Sequence, residues 1–203
     1  MPFFENTRKP EGFGGKIMLA MMNSGHSAMA QWGLAHIPLA KDATVLDIGC
    51  GGGANIRKML ALCPQGHVSG VDYSLVSVEK SRQVNRKAIA DGRCDIVEGS
   101  ALSLPFSGER FDMVTAFETV YFWPEIETCF GEAYRVLAPG GCFMICNESN
   151  GETSKDDKWV EMIGGMTIYT GDQLRTFLAN AGFTDIHMDK NAKGWLCVTA
   201  RKK

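Results

Sequence analysis

Two acidic residues, Asp47 and Asp72, each sit at the end of a short apolar run, and the first run opens into glycines. Val45-Leu46-Asp47-Ile48 reads as a buried strand, and Gly49-Cys50-Gly51-Gly52-Gly53 then places four glycines in five positions. Such a stretch can take positive φ and lets a ligand approach without meeting a Cβ. Ala54-Asn55-Ile56-Arg57-Lys58-Met59-Leu60 has a helical pattern, so backbone N–H groups at its start face whatever lies over the loop. A strand, a glycine turn and a helix start together form a nucleotide-type cofactor site. Asp72 ends Val68-Ser69-Gly70-Val71-Asp72 and precedes Tyr73-Ser74. An acid at the tip of a second strand can accept hydrogen bonds from both hydroxyls of a ribose.

Two cofactors fit this pattern. Gly49-x-Gly51-x-x-Ala54 meets the dinucleotide fingerprint G-x-G-x-x-G/A. The competing ligand is S-adenosylmethionine, whose amino-acid end and sulfonium are both cationic. Asp47, two residues before the first glycine, separates them. A carboxylate there repels a pyrophosphate and suits a cation. Asp72 serves either ribose.

These residues and three further segments resemble the class I S-adenosylmethionine-dependent methyltransferases, from about Ala43 to the C-terminus. VLDIGCGGG is similar to that family's first motif, and GVDYS to its ribose-binding motif. Gly99-Ser100-Ala101-Leu102-Ser103-Leu104-Pro105-Phe106 resembles its segment beside the adenine. Phe111 to Phe117 resembles its fourth strand, and Tyr134-Arg135-Val136-Leu137-Ala138-Pro139-Gly140-Gly141 its turn into the fifth. The small-molecule branch, which includes ubiquinone/menaquinone-type methyltransferases, is the nearest resemblance. It implies an α/β, Rossmann-like, doubly wound and mostly parallel seven-stranded sheet with the last strand antiparallel. It also implies cofactor contacts at Asp47, Gly49, Gly51, Asn55, Asp72, Tyr73, Ser74, Ser100, Ala101, Phe117 and Glu118. Ser100 departs from the family, which usually has Asp there to accept from the adenine amino group. A hydroxyl can accept that bond without the charge that strengthens it.

Methyl transfer from a sulfonium is an in-line displacement, so the protein must chiefly orient the reactants and keep the site dry. The loop after the fourth strand, Phe117-Glu118-Thr119-Val120-Tyr121-Phe122-Trp123-Pro124, brings aromatic faces to where a cation would lie. The competing reading of Tyr121, Phe122 and Trp123 is a cap on the core. Candidate catalytic residues are His26, Tyr121 and Glu148, with Glu118 either a base or a partner of the cofactor's polar end. His26, within Asn23-Ser24-Gly25-His26, titrates in the range of a general base and equally suits a helix cap. Glu148 follows the fifth strand, where a solvated loop residue is the alternative. An apolar acceptor pocket is expected from Tyr121, Trp123 and the methionine-rich segment, closed by Trp159, Met166 and Tyr169.

Strands are predicted near 43–48, 67–72, 93–98, 111–117, 140–148, 183–189 and 195–200, and helices near 53–62, 75–91, 124–137 and 171–181. Their alternation implies a parallel sheet with right-handed crossovers. Residues 1–42 are read as an irregular arm followed by a methionine-rich helical lid, and 43–203 as the cofactor-binding domain.

The 203 residues carry a net charge of −2, and no basic stripe or RNA-binding motif is visible, which speaks against nucleic acid as a partner. The basic tail Arg201-Lys202-Lys203 reads as a solvated end. Seven scattered cysteines include no C-x-x-C pair, so no metal and no disulfide framework is expected; Cys142 and Cys146 read as core. Neither a signal peptide nor a membrane-spanning run appears, and a cytoplasmic monomer or homodimer without membrane contact is expected. The function expected is methylation of a small, partly hydrophobic molecule. The alternatives are a non-catalytic S-adenosylmethionine-binding module and a NAD-dependent oxidoreductase.

Overall fold

A computed structural model describes residues 27–203. Seven strands form one sheet in the order β3-β2-β1-β4-β5-β7-β6. They are β1 (Thr44–Ile48), β2 (His67–Asp72), β3 (Cys94–Glu98), β4 (Phe111–Phe117), β5 (Leu137–Asn147), β6 (Thr184–Lys190) and β7 (Leu196–Arg201). The first five run parallel; β7 is antiparallel to both β5 and β6. The chain builds outward from β1 through β2 to β3, then restarts on the other side of β1 with β4. That reversal opens a crevice at the carboxyl ends of β1 and β4, where open α/β sheets bind ligands.

The helices are α1 (Ser27–Leu34), α2 (Ala54–Leu62), α3 (Leu75–Val84), α4 (Arg86–Ala90), α5 (Ile126–Val136), α6 (Ser154–Met162) and α7 (Gly171–Asn180). Both sheet faces are covered, so β1 is buried along nearly its whole length. Over one face α5 sets Ile126, Cys129, Phe130, Ala133 and Val136 inward, a spacing of three and four residues that makes one apolar stripe. They pack with Leu46, Val114, Phe143 and, from α7, Leu174. On the other face Val45, Val68, Met113 and Met144 meet α1 and α2. All seven cysteines are free and buried; Cys142 and Cys146 lie in this second cluster, as expected of core residues. Among the described residues no helix is long and apolar enough to cross a membrane.

Several boundaries differ from expectation. Helix α1 buries Met29, Ala30, Gly33 and Leu34 against the sheet, so this part of the methionine-rich segment is core. Gly33 is required there: a Cβ would lie 2.5 Å from Cys146 Sγ. His26 and the rest of the lid segment lie outside the described residues. Strand β5 starts at Leu137, before the two glycines. Lys202 is not solvated: it is buried, its Nζ donates to Leu137 O at 2.8 Å and stands over the Tyr134 ring. Helix α6 was not foreseen, because its polar opening Ser154-Lys155-Asp156-Asp157-Lys158 shows no apolar period.

The helix expected over 75–91 breaks at Asn85. Asn85 Nδ2 donates to Gly53 O and to Ser81 O, both at 3.0 Å, so the break ties this helix to the end of the glycine loop. Asn85→Ala removes two hydrogen bonds to carbonyls that keep their backbone donors, and each such bond contributes about 0.5–1.5 kcal/mol. The variant should unfold at correspondingly lower urea concentration. An unchanged transition would mean the loop holds itself.

Candidate cofactor site

Asp72 sits at the junction of two loops. Its Oδ2 accepts the Gly51 N–H and its Oδ1 the Ser74 N–H, each at 2.9 Å. Each oxygen keeps a second acceptor site for a ligand hydroxyl. Burial pushes the Asp72 carboxyl upward, and the two N–H donors oppose that shift. The glycine loop is fastened to β2 by Gly49 N and Cys50 N, which both donate to Val71 O. Gly49, at φ 73°, also lies against the loop after β4, where a Cβ would come within 2.1 Å of Thr119 Oγ1.

A cavity opens over these groups at the carboxyl edge. Eight of the expected residues line it: Gly49, Gly51, Asp72, Tyr73, Ser100, Ala101, Phe117 and Glu118. Asp47, Asn55 and Ser74 do not. Asp47 lies beneath the loop, 2% exposed, and accepts a hydrogen bond from Thr115 Oγ1 at 2.8 Å. Its pKa is pushed up to about 7, first by burial and further by the Asp72 charge, while Thr115 and Lys58 pull it down. Asn55 pairs with Lys58 on α2, and Ser74 caps α3 by accepting the Ser77 N–H.

The far wall comes from a segment that needs bracing. Ser100 Oγ accepts the Leu102 N–H at 3.2 Å, and Glu132 Oε2 accepts the Leu104 N–H at 2.7 Å. Arg135 forks onto Glu132 at 2.6 and 2.8 Å and also donates to the carbonyls of Leu104 and Phe106. The Arg135 hydrogen bonds hold the Glu132 carboxyl below its usual range. The pair therefore fixes the Ser100–Phe106 strip from behind.

At the β4 end Glu118 adopts a left-handed backbone, φ 58°, which is uncommon for a side chain of this size. Its carboxylate accepts from Tyr121 Oη at 3.1 Å and from the Glu148 N–H. Tyr121 is turned inward, away from the cavity: it is 3% exposed, and its hydroxyl also accepts the Ser149 N–H at 3.0 Å. Burial and then the Glu118 charge raise its phenol well above the ordinary value, so it holds its proton. The aromatic wall is instead Phe122 and Trp123. Trp123 stacks on Phe143 at 6.3 Å and donates from Nε1 to Thr119 Oγ1, serving core and cavity together. Glu148 is half-buried and does not line the cavity. Trp159 is 44% exposed on α6, and Tyr169 packs on Phe177, so neither closes this cavity.

Sequence reasoning missed Ser77, which lines the cavity and whose side chain helps hold the Asp72 carboxyl down, and Thr119, whose Oγ1 lies against Gly49 and accepts from Trp123 Nε1. Ser77 lies one turn into a helix whose pattern carries no separate signal for it. The bracing role of Arg135 was also not legible, although its motif was.

Residues 46–145 match the family model of the methyltransferase domain. Over that stretch the chain is similar to the class I S-adenosylmethionine-dependent methyltransferases. Its relatives include a cycloartenol-C-24-methyltransferase of Oryza sativa subsp. japonica, 37% identical over 101 residues, 50% of this chain and 29% of that protein. A 24-methylenesterol C-methyltransferase of Arabidopsis thaliana is 35% identical over 132 residues, 64% of this chain and 36% of that one. The matched stretch thus spans about a third of each relative's length. Among solved structures, the putative methyltransferase in complex with the Haloferax volcanii Trm112 methyltransferase activator has the same fold. Its TM-score is 0.85 at 21% identity, covering 92% of this chain and 94% of that one.

The buried Asp47 makes stability depend on pH. A carboxyl whose folded pKa is raised to about 7 is stabilised as the neutral acid. Its penalty is absent below the unfolded value near 3.8, grows as pH rises to about 7, and is constant above that. Asp47→Asn keeps the oxygen that Thr115 needs and removes the charge. Thermal melts should show the variant gaining on the wild type from pH 4 to pH 7, by up to a few kcal/mol. Parallel pH profiles would show that Asp47 is already ionised without cost.

Proposed function

We propose that this chain transfers a methyl group from S-adenosylmethionine to a small, largely apolar acceptor. The observation that carries the reading is the division of the cavity wall. One side offers the Asp72 carboxylate, the glycine loop and the Ser100–Ala101 strip; the other offers Phe117, Phe122 and Trp123 beside Glu118.

The residues fit the cofactor. Asp72 would hold the ribose hydroxyls with its remaining acceptor sites, and Ser100 and Ala101 would flank the adenine. Glu118 supplies negative charge for the cationic amino-acid end. When bound, the cofactor supplies an electrophilic methyl group on a positively charged sulfur. Aromatic side chains near such a charge attract it by about 0.5–2 kcal/mol and keep water away. Tyr121, locked in its protonated form, orients Glu118 and is poorly suited to accept a proton from the acceptor. Glu148 and His26 stay as the candidates for that task.

The relatives are named for carbon methylation of sterols, which supports an apolar acceptor. A quinone-type acceptor belongs to the same chemical class. The test is release of S-adenosylhomocysteine when the chain is offered sterols, quinols, phenols and thiols. An apolar acceptor should raise release above background. Binding of S-adenosylhomocysteine with no acceptor-dependent release from any class would reduce the chain to a binding module.

Asp72→Ala provides the matching cofactor test. Loss of a charged acceptor costs about 1.5–3 kcal/mol, so calorimetry should find S-adenosylhomocysteine bound at least ten-fold more weakly. Undiminished affinity in a folded variant would take Asp72 out of the site.

A further inference from the structure

The glycine loop meets the dinucleotide fingerprint in sequence, so the site has to tell S-adenosylmethionine from the adenine nucleotides that share its base and ribose. Asp47, the residue expected to repel a phosphate, is 2% exposed beneath the loop and does not line the cavity. The loop itself is poorly made for phosphate. Phosphate-binding loops aim their backbone N–H groups at the ligand. Here those of Gly49 and Cys50 are given to Val71 O, that of Gly51 to Asp72 and that of Gly53 to Cys50 O. Among the described residues that line the cavity there is no lysine, arginine or histidine.

The strand order then decides what the third part of a ligand meets. Ser100 and Ala101 follow β3, Asp72 ends β2, the glycine loop follows β1 and Glu118 follows β4, and the order β3-β2-β1-β4 sets these groups in a row. A ligand with its base by Ser100 and its ribose by Asp72 carries its 5′ substituent past the glycine loop toward Glu118. In S-adenosylmethionine that substituent holds a cationic sulfur and an ammonium group; in a nucleotide it is a chain of phosphates. Asp72 meets the ribose of either and does not choose between them. Glu118 can choose, because its carboxylate is held in place: Tyr121 Oη donates to it at 3.1 Å, the Glu148 N–H donates to the same oxygen, and the backbone beneath is left-handed at φ 58°. A like charge brought beside a fixed carboxylate, where water screens little, is disfavoured.

We infer that Glu118 is the residue that excludes adenine nucleotides from the cavity, and that Tyr121 is the positioning residue that keeps its carboxylate turned to the 5′ substituent. This rests on the S-adenosylmethionine reading of the cavity and supplies that site's selectivity.

The test is calorimetry on the full chain with S-adenosylhomocysteine, adenosine and ADP, which share base and ribose and differ at the 5′ position. Glu118→Gln keeps the shape and the accepting oxygen and removes the charge. It should bind S-adenosylhomocysteine about ten-fold more weakly and ADP about ten-fold more tightly, with adenosine unchanged. Tyr121→Phe should weaken S-adenosylhomocysteine about three-fold in the wild type, spare adenosine, and add nothing in the Glu118→Gln background. Glu118→Gly, which suits the left-handed backbone, repeats the comparison should the glutamine variant not fold. Opposite changes for ADP and S-adenosylhomocysteine are not produced by a general loosening of the site. ADP affinity that stays level or falls in a variant that still binds adenosine normally would overturn the inference, as would a parallel loss for all three ligands. Equal losses from Tyr121→Phe in both backgrounds would strike out its positioning role. A wild type that prefers ADP to S-adenosylhomocysteine would overturn the cofactor reading as well, whereas tight S-adenosylhomocysteine binding with ADP indifferent to Glu118 would overturn this inference alone.

Discussion

The site depends on one carboxylate that belongs to two loops at once. Asp72 takes a backbone N–H from Gly51 and another from Ser74, so the turn after β1 and the turn after β2 share a fixed point. Charge-assisted bonds of this kind are short and strong, and here they are made inside protein, where screening by water is weak. The remaining contacts extend from that point. Val71 O binds the start of the glycine loop, Asn85 binds its end, and Thr119 closes on Gly49 from the β4 side. The result is a concave wall whose shape exists before any ligand arrives, which lowers the ordering cost of binding.

Around that wall the charges are uneven. Asp47, Asp72 and Glu118 are concentrated at the carboxyl edges of β1, β2 and β4, and the nearest cation acting on Asp47 is Lys58. The opposite arrangement appears behind the adenine strip, where Arg135 and Glu132 neutralise each other and spend their remaining capacity on backbone groups. Negative charge is thus left where a cationic donor would sit and cancelled where a neutral heterocycle would. The left-handed backbone at Glu118 fits this division, since strained residues persist where surrounding contacts over-determine them.

Much of this was legible in the residues themselves. Strands ending in Asp47 and Asp72 followed from apolar runs that stop at an acid, and the glycine loop from its composition. A mostly parallel seven-stranded sheet with its last strand antiparallel was implied by resemblance to the family and is the sheet found. What could not be read were orientations. Tyr121 and Trp123 look equivalent in a run of aromatics, yet one turns inward to Glu118 and Ser149 while the other reaches the cavity. Nothing local decides between them; the choice is made by the Ser149 N–H and by the Phe143 ring, each contributed by β5 or the chain just beyond it. Lys202 misled for the same reason: a terminal lysine looks solvated until the Leu137 carbonyl and the Tyr134 ring are placed beside it. Helix α6 lacked an apolar period because it is not packed by one.

The reach of Asn85 to Gly53 O carries a consequence for how this chain acquires its shape. The glycine run is local in sequence, but the bonds that tie it to the rest of the fold come from Val71, Asp72 and Asn85, and the adenine strip waits on Glu132 and Arg135. Contacts between distant positions form only after the intervening chain has been gathered in, and that entropy must be met first. A ribosome that has released residues 45–60 has therefore released the motif without the cradle. The cradle arrives in two instalments, one when the second strand and its broken helix dock, the other when the fifth helix brings up its arginine.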